Sequence, residues 1–197
     1  AGPVMMEYAT DEQKERYLPP MAEGKEIWCQ LFSEPSAGSD VAGLRSKAVQ
    51  DGENWIVNGQ KVWTSGAHFS DFGILVVRHD AGLEKHKGLT FFFVDMKSPG
   101  IEVKPIKQLT GGSSFNEVYF NDVVIPDSQR LGEIGDGWKV AITTLMNERL
   151  AVGDADGVDA NEAFELAKKH DKDGEQLIDN NAVRESIADW YCEASGL

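Results

Sequence analysis

Two cysteines in 197 residues, Cys29 and Cys192, are too few and too far apart to make a disulfide framework or a metal knuckle. That sets aside the small cross-linked secreted domains and points to a reducing, cytoplasmic home; one structural disulfide is the alternative. Positive charge is scarce too: 19 Lys and Arg stand against 33 Asp and Glu, a formal charge of −14. A chain of this sign does not attract nucleic acid through its field. The excess is uneven, with 12 acidic against 4 basic residues in 151–197, which reads as a solvated helical face. Long apolar runs are missing as well. None approaches the roughly 20 residues of a spanning helix, so no membrane insertion is expected. The stretch Ala1 to Tyr8 has neither the basic end nor the apolar centre of a secretory signal. No repeat or low-complexity tract is present. What remains, 41% hydrophobic and 26% charged, suits a soluble globular chain with one good core or two small ones.

From Trp28 to about Ile125 the pattern is β. Short apolar runs occur at Trp28–Ser33, Leu44–Val49, Trp55–Val57, Lys61–Ser65, Phe72–Val77, Leu89–Val94, Ile101–Ile106 and Glu117–Phe120. Asp51-Gly52, Asn58-Gly59, Ser98-Pro99-Gly100 and Gly111-Gly112 punctuate them, and Asn58-Gly59 is a strong hairpin signal. Many closely spaced short strands predict an antiparallel sandwich or barrel. The run Leu89–Val94 is apolar on both faces, so a central strand is expected there. Lys85, His86 and Lys87 read as a solvated turn; His86 has no partner cluster that would make it a ligand or base.

Helices flank this region. Thr10 with Gln13 three residues on is a capping pattern, and Pro19-Pro20 is expected to end that helix. A second helix should begin near Gly137 and run beyond Leu150. On it, Glu148 falls on a stripe with Ala141, Leu145 and Val152, which predicts a carboxylate that is either paired with Arg149 or Lys139 or raised in pKa by desolvation. Gly157 costs roughly 1 kcal/mol in a helix, so 154–160 is either a continuation or a break. Helices are expected at Ala160–His170 and Ala182–Ala194, the last capped by Asp179 or Asn181.

Two blocks between Trp28 and Ala67 carry the candidate chemistry. The first is a strand running into the small-residue loop Ser36-Ala37-Gly38-Ser39, whose amides and hydroxyls could cradle phosphate; such loops are more often only loops. The second places Trp63 beside the hydroxyls of Thr64 and Ser65. An indole so placed can stack on a planar cofactor, although a lone tryptophan is more often core.

Ser33-Glu34-Pro35 with Ala37-Gly38-Ser39-Asp40, then Asn58-Gly59 with Lys61 and Trp63, then Phe115 to Pro126 followed by Gly135-Asp136-Gly137-Trp138, occur in this order over nearly the whole chain. Together they resemble the acyl-CoA dehydrogenase family of flavoproteins. The resemblance implies an α+β fold in three parts. Residues 1–27 would end a helical N-terminal domain, 28–130 would form an antiparallel β-barrel or sandwich that binds flavin and acyl-CoA, and 131–197 would open a C-terminal helical bundle. On this reading the chain is a fragment or a truncated frame.

The cofactor implied is FAD. Gln30, Phe32 and Ser33 would lie along the flavin ring, and Gly38 and Ser39 near its pyrophosphate and the acyl-CoA. Trp63 would pack on the isoalloxazine with Thr64 beside it, and Ser65 stands where the family sets a hydroxyl against flavin N5. The activity implied is α,β-dehydrogenation of an acyl-CoA thioester. It needs a base in a dry site, a polarised thioester and in-line geometry. Most members carry the base late in the C-terminal domain; a minority carry it in a Glu-Arg pair on the helix after the β domain. Glu148-Arg149 matches the minority, which implies Glu148 as base and Arg149 near the substrate. Electron-transfer flavoprotein is the implied acceptor, and a homo-oligomer the implied assembly. Gln30 departs from a common aromatic and Ser36 from a common glycine. The alternatives are a related flavin oxidase or monooxygenase, and a non-catalytic β module that holds no FAD alone.

Overall fold

The computed structural model describes residues 1–153, 160–169, 171–172 and 174–195. They fall into two units, Ala1–Leu150 and Ala151–Leu197. The class is α+β, as expected.

In the first unit, helices α1 (Gly2–Tyr8) and α2 (Asp11–Ala22) precede seven strands: β1 (Trp28–Leu31), β2 (Lys47–Asp51), β3 (Asn54–Ser65), β4 (Phe72–Arg78), β5 (Leu89–Asp95), β6 (Ile101–Ile106) and β7 (Phe115–Pro126). Helix α3 (Gly137–Gly153) follows. The strands form one sheet in the order β1-β4-β2-β3-β7-β6, with β5 on the other edge of β4. The sheet is mixed rather than wholly antiparallel. Strand β1 pairs with β4 in parallel from Trp28↔Phe72 to Leu31↔Leu75, and β2 meets the same edge in parallel at Lys47↔Arg78. The chain leaves that edge at Leu31, makes the Glu34–Gly43 excursion, and returns to it further along.

Alternation along the strands builds a core on each face. Leu31, Ala48, Trp55, Val57, Leu75, Val77, Phe92, Val94, Val118, Phe120 and Ile125 share one cluster, so the inner face curls around a common core drawn from most of the strands. Ile74, Val76, Leu89, Phe91 and Phe93 point the other way, against Val4 and Met5 of α1, Tyr17 of α2 and Val140 and Ala141 of α3. Strand β5 is therefore buried on both faces, as its composition required, but it is not central. Its far edge is closed by the Phe92↔Arg130 bridge and by the Leu131 amide donating to the Phe91 carbonyl at 2.9 Å.

The expected capping box is present, with the Gln13 amide donating to Thr10 and the Thr10 amide to Gln13. Gln13 also donates to the carbonyls of Ser128 and Arg130, which seats α2. Tyr17 meets Trp28, Phe72 and Phe93 edge-on at 5.3–5.5 Å. Pro19 and Pro20 do not end α2, which runs to Ala22. Their missing amides fall in the last turns, while their carbonyls still accept from Glu23 and Lys25.

Asn58-Gly59 is not a hairpin turn. It lies inside the 12-residue β3, and the turn that joins β2 to β3 falls at Asp51–Asn54 instead. Gly59 is required there by a close approach: a Cβ would lie 2.6 Å from the backbone Cα of Ser46, at φ +152°. Asn58 instead braces a bulge on β7, exchanging hydrogen bonds of 2.8 and 3.0 Å with Asp122, which has φ 48°.

In the second unit, α4 (Ala160–Lys169) leads to the short strands β8 (Asp171–Lys172) and β9 (Glu175–Gln176) and to α5 (Asn181–Ser195). The cap of α5 is neither Asp179 nor Asn181: the Ala182 amide donates to Asn180 Oδ1 at 2.9 Å. Residues 154–159 and His170 lie outside the described residues.

Gly59→Ala should destabilise the protein by about 2 kcal/mol or more, because Ser46 backbone must move. Gly52→Ala, with open space at the turn, should cost only about 1–2 kcal/mol. Thermal unfolding of the two variants checks the order.

Candidate functional site

The site begins with a side chain that composition places at the surface. Lys61 is wholly buried in β3. Its ammonium donates to Glu34 Oε1 at 2.9 Å and to the Phe32 carbonyl at 3.1 Å. The buried Glu34 carboxylate accepts the amides of Arg45 at 2.6 Å and Ser46 at 2.9 Å. Burial pushes Lys61 down to about 8 against the pull of Glu34. Burial pushes Glu34 up, but Lys61 and the bonds to its oxygens outweigh that and hold it below the usual carboxylate range.

Two residues beyond Lys61 the strand bulges. The register with β7 slips between Lys61↔Val118 and Thr64↔Asn116, so β3 carries an extra residue. Trp63 sits there at φ 61°, a region that an aromatic residue seldom enters, and its side chain is 60% exposed. The bulge turns the indole out of the core and into a cleft. The lone-tryptophan-as-core alternative is thereby removed.

The cleft, of about 380 Å³, is lined by Trp28, Cys29, Gln30, Phe32 and Ser33 from β1 and its extension, Val62, Trp63 and Ser65 from β3, and Glu148 from α3. The Val62 amide donates to the Ser33 carbonyl at 2.8 Å and binds the two β walls together. Cys29 in the wall is no nucleophile, since burial pushes its thiol up to about 11. Glu148 stands exposed at the rim rather than desolvated on an apolar stripe. Its contact is neither Arg149 nor Lys139: the Gln30 side-chain amide donates to Glu148 Oε2 at 3.4 Å. Ala141 and Leu145 face inward, but the helix phase turns the carboxylate toward β1.

The structure thus brings together Gln30, Phe32, Ser33, Trp63, Ser65 and Glu148. It does not bring the others into this cleft. Gly38 and Ser39 are exposed in the loop beyond, and the Ala37 amide is already given to the Glu34 carbonyl at 3.0 Å, which leaves a smaller cradle than the sequence suggests. Thr64 points away and is buried; its hydroxyl has no partner among the described residues. Arg149 is exposed beside Glu148. Lys61 and its pairing with Glu34 escaped the sequence reading, although the alternation Trp55, Val57, Gly59, Lys61 assigns that lysine to the inner face.

A ring face offered by Trp63, hydroxyls at Ser33 and Ser65, and an amide at Gln30 fit a flat ligand with a polar edge. Fold and cleft together define a curled-sheet module whose cleft is lined by two strands and by a helix that carries a carboxylate. Comparison with known proteins carries the assignment further. Residues 29–123 match the family model for the acyl-CoA dehydrogenase middle domain, and 135–197 match that for the acyl-CoA dehydrogenase C-terminal domain. The chain is 51% identical over 152 residues to acyl-CoA dehydrogenase FadE34 of Mycobacterium tuberculosis, covering 77% of this chain and 21% of that one. It is 32% identical to the caffeyl-CoA reductase-Etf complex subunit CarC of Acetobacterium woodii, over 95% of this chain and 51% of that one. Among solved structures, the ChsE4-ChsE5 complex of Mycobacterium tuberculosis superposes with a TM-score of 0.83 at 34% identity, over 98% of this chain and 51% of its own. The chain belongs to the acyl-CoA dehydrogenase family. It spans between 21% and 50% of the length of the first curated relatives it matches.

Three outcomes follow from this geometry. Lys61→Met should cost about 3–5 kcal/mol, since it strands a buried carboxylate. Because Glu34 is held below its unfolded value, the stability it contributes is present above the ordinary carboxylate range and is lost as pH falls through the folded value; a pH series of urea unfolding should show that acid loss in the wild type and not in Glu34→Gln. Trp63→Gly should leave stability within about 1 kcal/mol, because positive φ is then free of strain and little burial is lost. A loss as large as the roughly 3–5 kcal/mol of a core aromatic would show that the indole is packed.

Proposed function

We propose that this chain carries the flavin cleft of an acyl-CoA dehydrogenase and serves FAD-dependent α,β-dehydrogenation of an acyl-CoA thioester. The observation that carries the reading is the convergence of Gln30, Phe32, Ser33, Trp63, Ser65 and Glu148, from three elements, on one cleft.

FAD, when bound, supplies the two-electron acceptor. The chain's own residues do the rest. Trp63 offers its ring face to the flavin, Ser33 and Ser65 offer hydroxyls to its edge, and Gln30 and Phe32 line its length. Gly38 and Ser39 serve the pyrophosphate and acyl-CoA end from the loop beyond, and Thr64 stands behind Trp63 with an unspent hydroxyl. Glu148 takes the substrate α-proton on a carboxylate oxygen, and Arg149 lies toward the substrate. An acyl chain seated over the rim excludes water from Glu148, the condition that the proton transfer needs.

The wider reading follows the same line. Residues 1–27 close a helical domain, 28–130 form the flavin and acyl-CoA domain, and 131–197 open a helical bundle. Electron-transfer flavoprotein is the partner, a reading supported by the relative that is itself a subunit of an Etf complex. A homo-oligomer is supported by the exposure of Phe164, Leu166, Trp190 and Tyr191 on α4 and α5. The setting is cytoplasmic. Among the described residues no helix is long and apolar enough to cross a membrane.

The purified chain should take up added FAD and turn yellow, and an acyl-CoA should then bleach the flavin band. Glu148→Gln should keep the colour and slow the bleaching by about 10²–10⁴-fold, the usual contribution of a positioned base. Bleaching at the wild-type rate would remove Glu148 from the reaction, and a chain that stays colourless would defeat the reading for this protein.

A further inference from the structure

The chemistry above assigns nothing to the largest buried polar side chain among the described residues. Lys61 is fully enclosed, yet its ammonium is directed at two acceptors, Glu34 Oε1 and the Phe32 carbonyl. Glu34 in turn gathers the amides of Arg45 and Ser46, so its own position is fixed on three sides. Phe32 and Ser33 line one part of the cleft; Val62 and Trp63 line the part that adjoins it. Lys61 belongs to the strand of the second part and bonds to the backbone of the first. The Val62 amide to Ser33 carbonyl bond, at 2.8 Å, runs beside it.

Stability alone is a weak reason for this arrangement. A buried ion pair commonly stabilises a fold no more than apolar residues of the same volume would. What apolar residues cannot supply is direction. An ammonium shared by a carboxylate and a carbonyl sets the spacing of two backbones, and binding sites depend on such support at the scale of half an ångström. The bulge that turns Trp63 outward starts at Lys61 itself, so an anchored Lys61 also sets where the bulge begins.

We propose that Lys61 and Glu34 are positioning residues of the cleft: through the Phe32 carbonyl and the Lys61–Thr64 bulge they set the spacing and orientation of Ser33 and Trp63 at which a flat ring system is gripped. The ligand class rests on the flavin reading given above. Neither residue lines the cleft, and their effect passes through Ser33 and Trp63.

The test is a variant in which the fold is restored and the direction is not. Lys61→Met combined with Glu34→Leu replaces the pair by apolar volume. Its thermal midpoint should lie above that of Lys61→Met alone and below wild type, by the cost of the Arg45 and Ser46 amides and the Phe32 carbonyl that lose their partners. In the FAD-free protein labelled with fluorotryptophan, the Trp63 resonance, assigned through Trp63→Phe, should move or broaden while that of Trp55 in the barrel core holds. The dissociation constant for FAD should rise by about tenfold or more, the scale on which ångström misplacements act. A folded double variant with the wild-type Trp63 resonance and wild-type FAD affinity overturns the proposal. Should the wild type take up no FAD, the flavin reading falls, and the Trp63 resonance alone decides whether the pair positions the cleft. If the double variant does not fold, Glu34→Gln carries the same two measurements: a shifted resonance supports positioning, and an unshifted one overturns it.

Discussion

The contact on which the rest of this structure depends is a lysine ammonium held 2.9 Å from a glutamate inside the sheet. Glu34 lies just past the end of β1, on the excursion the chain makes before it returns to β4. Lys61 lies midway along the longest strand of the first half. The pair joins the start of the excursion to β3, beside the bond from the Val62 amide to the Ser33 carbonyl. The Phe32–Ser33 backbone lies against β3, and two segments far apart in the chain line one cleft side by side. Charges of this kind are costly to bury and are tolerated only where every lone pair and proton finds a partner. Here the Arg45 and Ser46 amides and the Phe32 carbonyl complete the set.

Strain accumulates around this contact. Trp63 is held at positive φ and turned out to solvent, and Thr64 behind it keeps a buried hydroxyl without a partner among the described residues. Both cost free energy that a sheet built only for stability would avoid. They are neighbours on β3, Trp63 lining the cleft that Glu148 also lines and Thr64 turned away from it. The two-faced core provides the rigidity that sustains them: β4 and β5 present Ile74, Val76, Phe91 and Phe93 to the helices and Leu75, Val77, Phe92 and Val94 to the barrel interior. A scaffold buried on both faces can hold an unfavourable bulge at its edge without slipping register.

Much of this was legible in advance, and the misreadings share a cause. Strand positions followed from turn residues and apolar alternation. The helix from Gly137 and the Thr10–Gln13 cap followed from local pattern. Asn58-Gly59 misled because a local hairpin signal and a tertiary close approach use the same residue; only the Ser46 backbone against Gly59 tells them apart. Leu89–Val94 was correctly read as buried on both faces but wrongly as central, because a strand edge can be closed by a non-strand segment such as Arg130–Leu131. Glu148 was given an apolar neighbourhood from helical spacing, yet that spacing does not say where the helix sits relative to β1. Its rim position beside Gln30 is a matter of packing.

By itself the sequence determined the family, the α+β class, the order of the elements and the identity of the groups with chemical potential. These are carried by short-range pattern: turn residues, periodicity, and motifs a few residues long. Only the tertiary structure decided that Trp63 faces outward, that Glu148 meets Gln30, that Ser39 lies away from the cleft, and that a lysine is buried. Each of those depends on which backbone lies opposite, and at what distance. Elements 27 to 118 residues apart meet in these contacts, and no local preference encodes their separation in space.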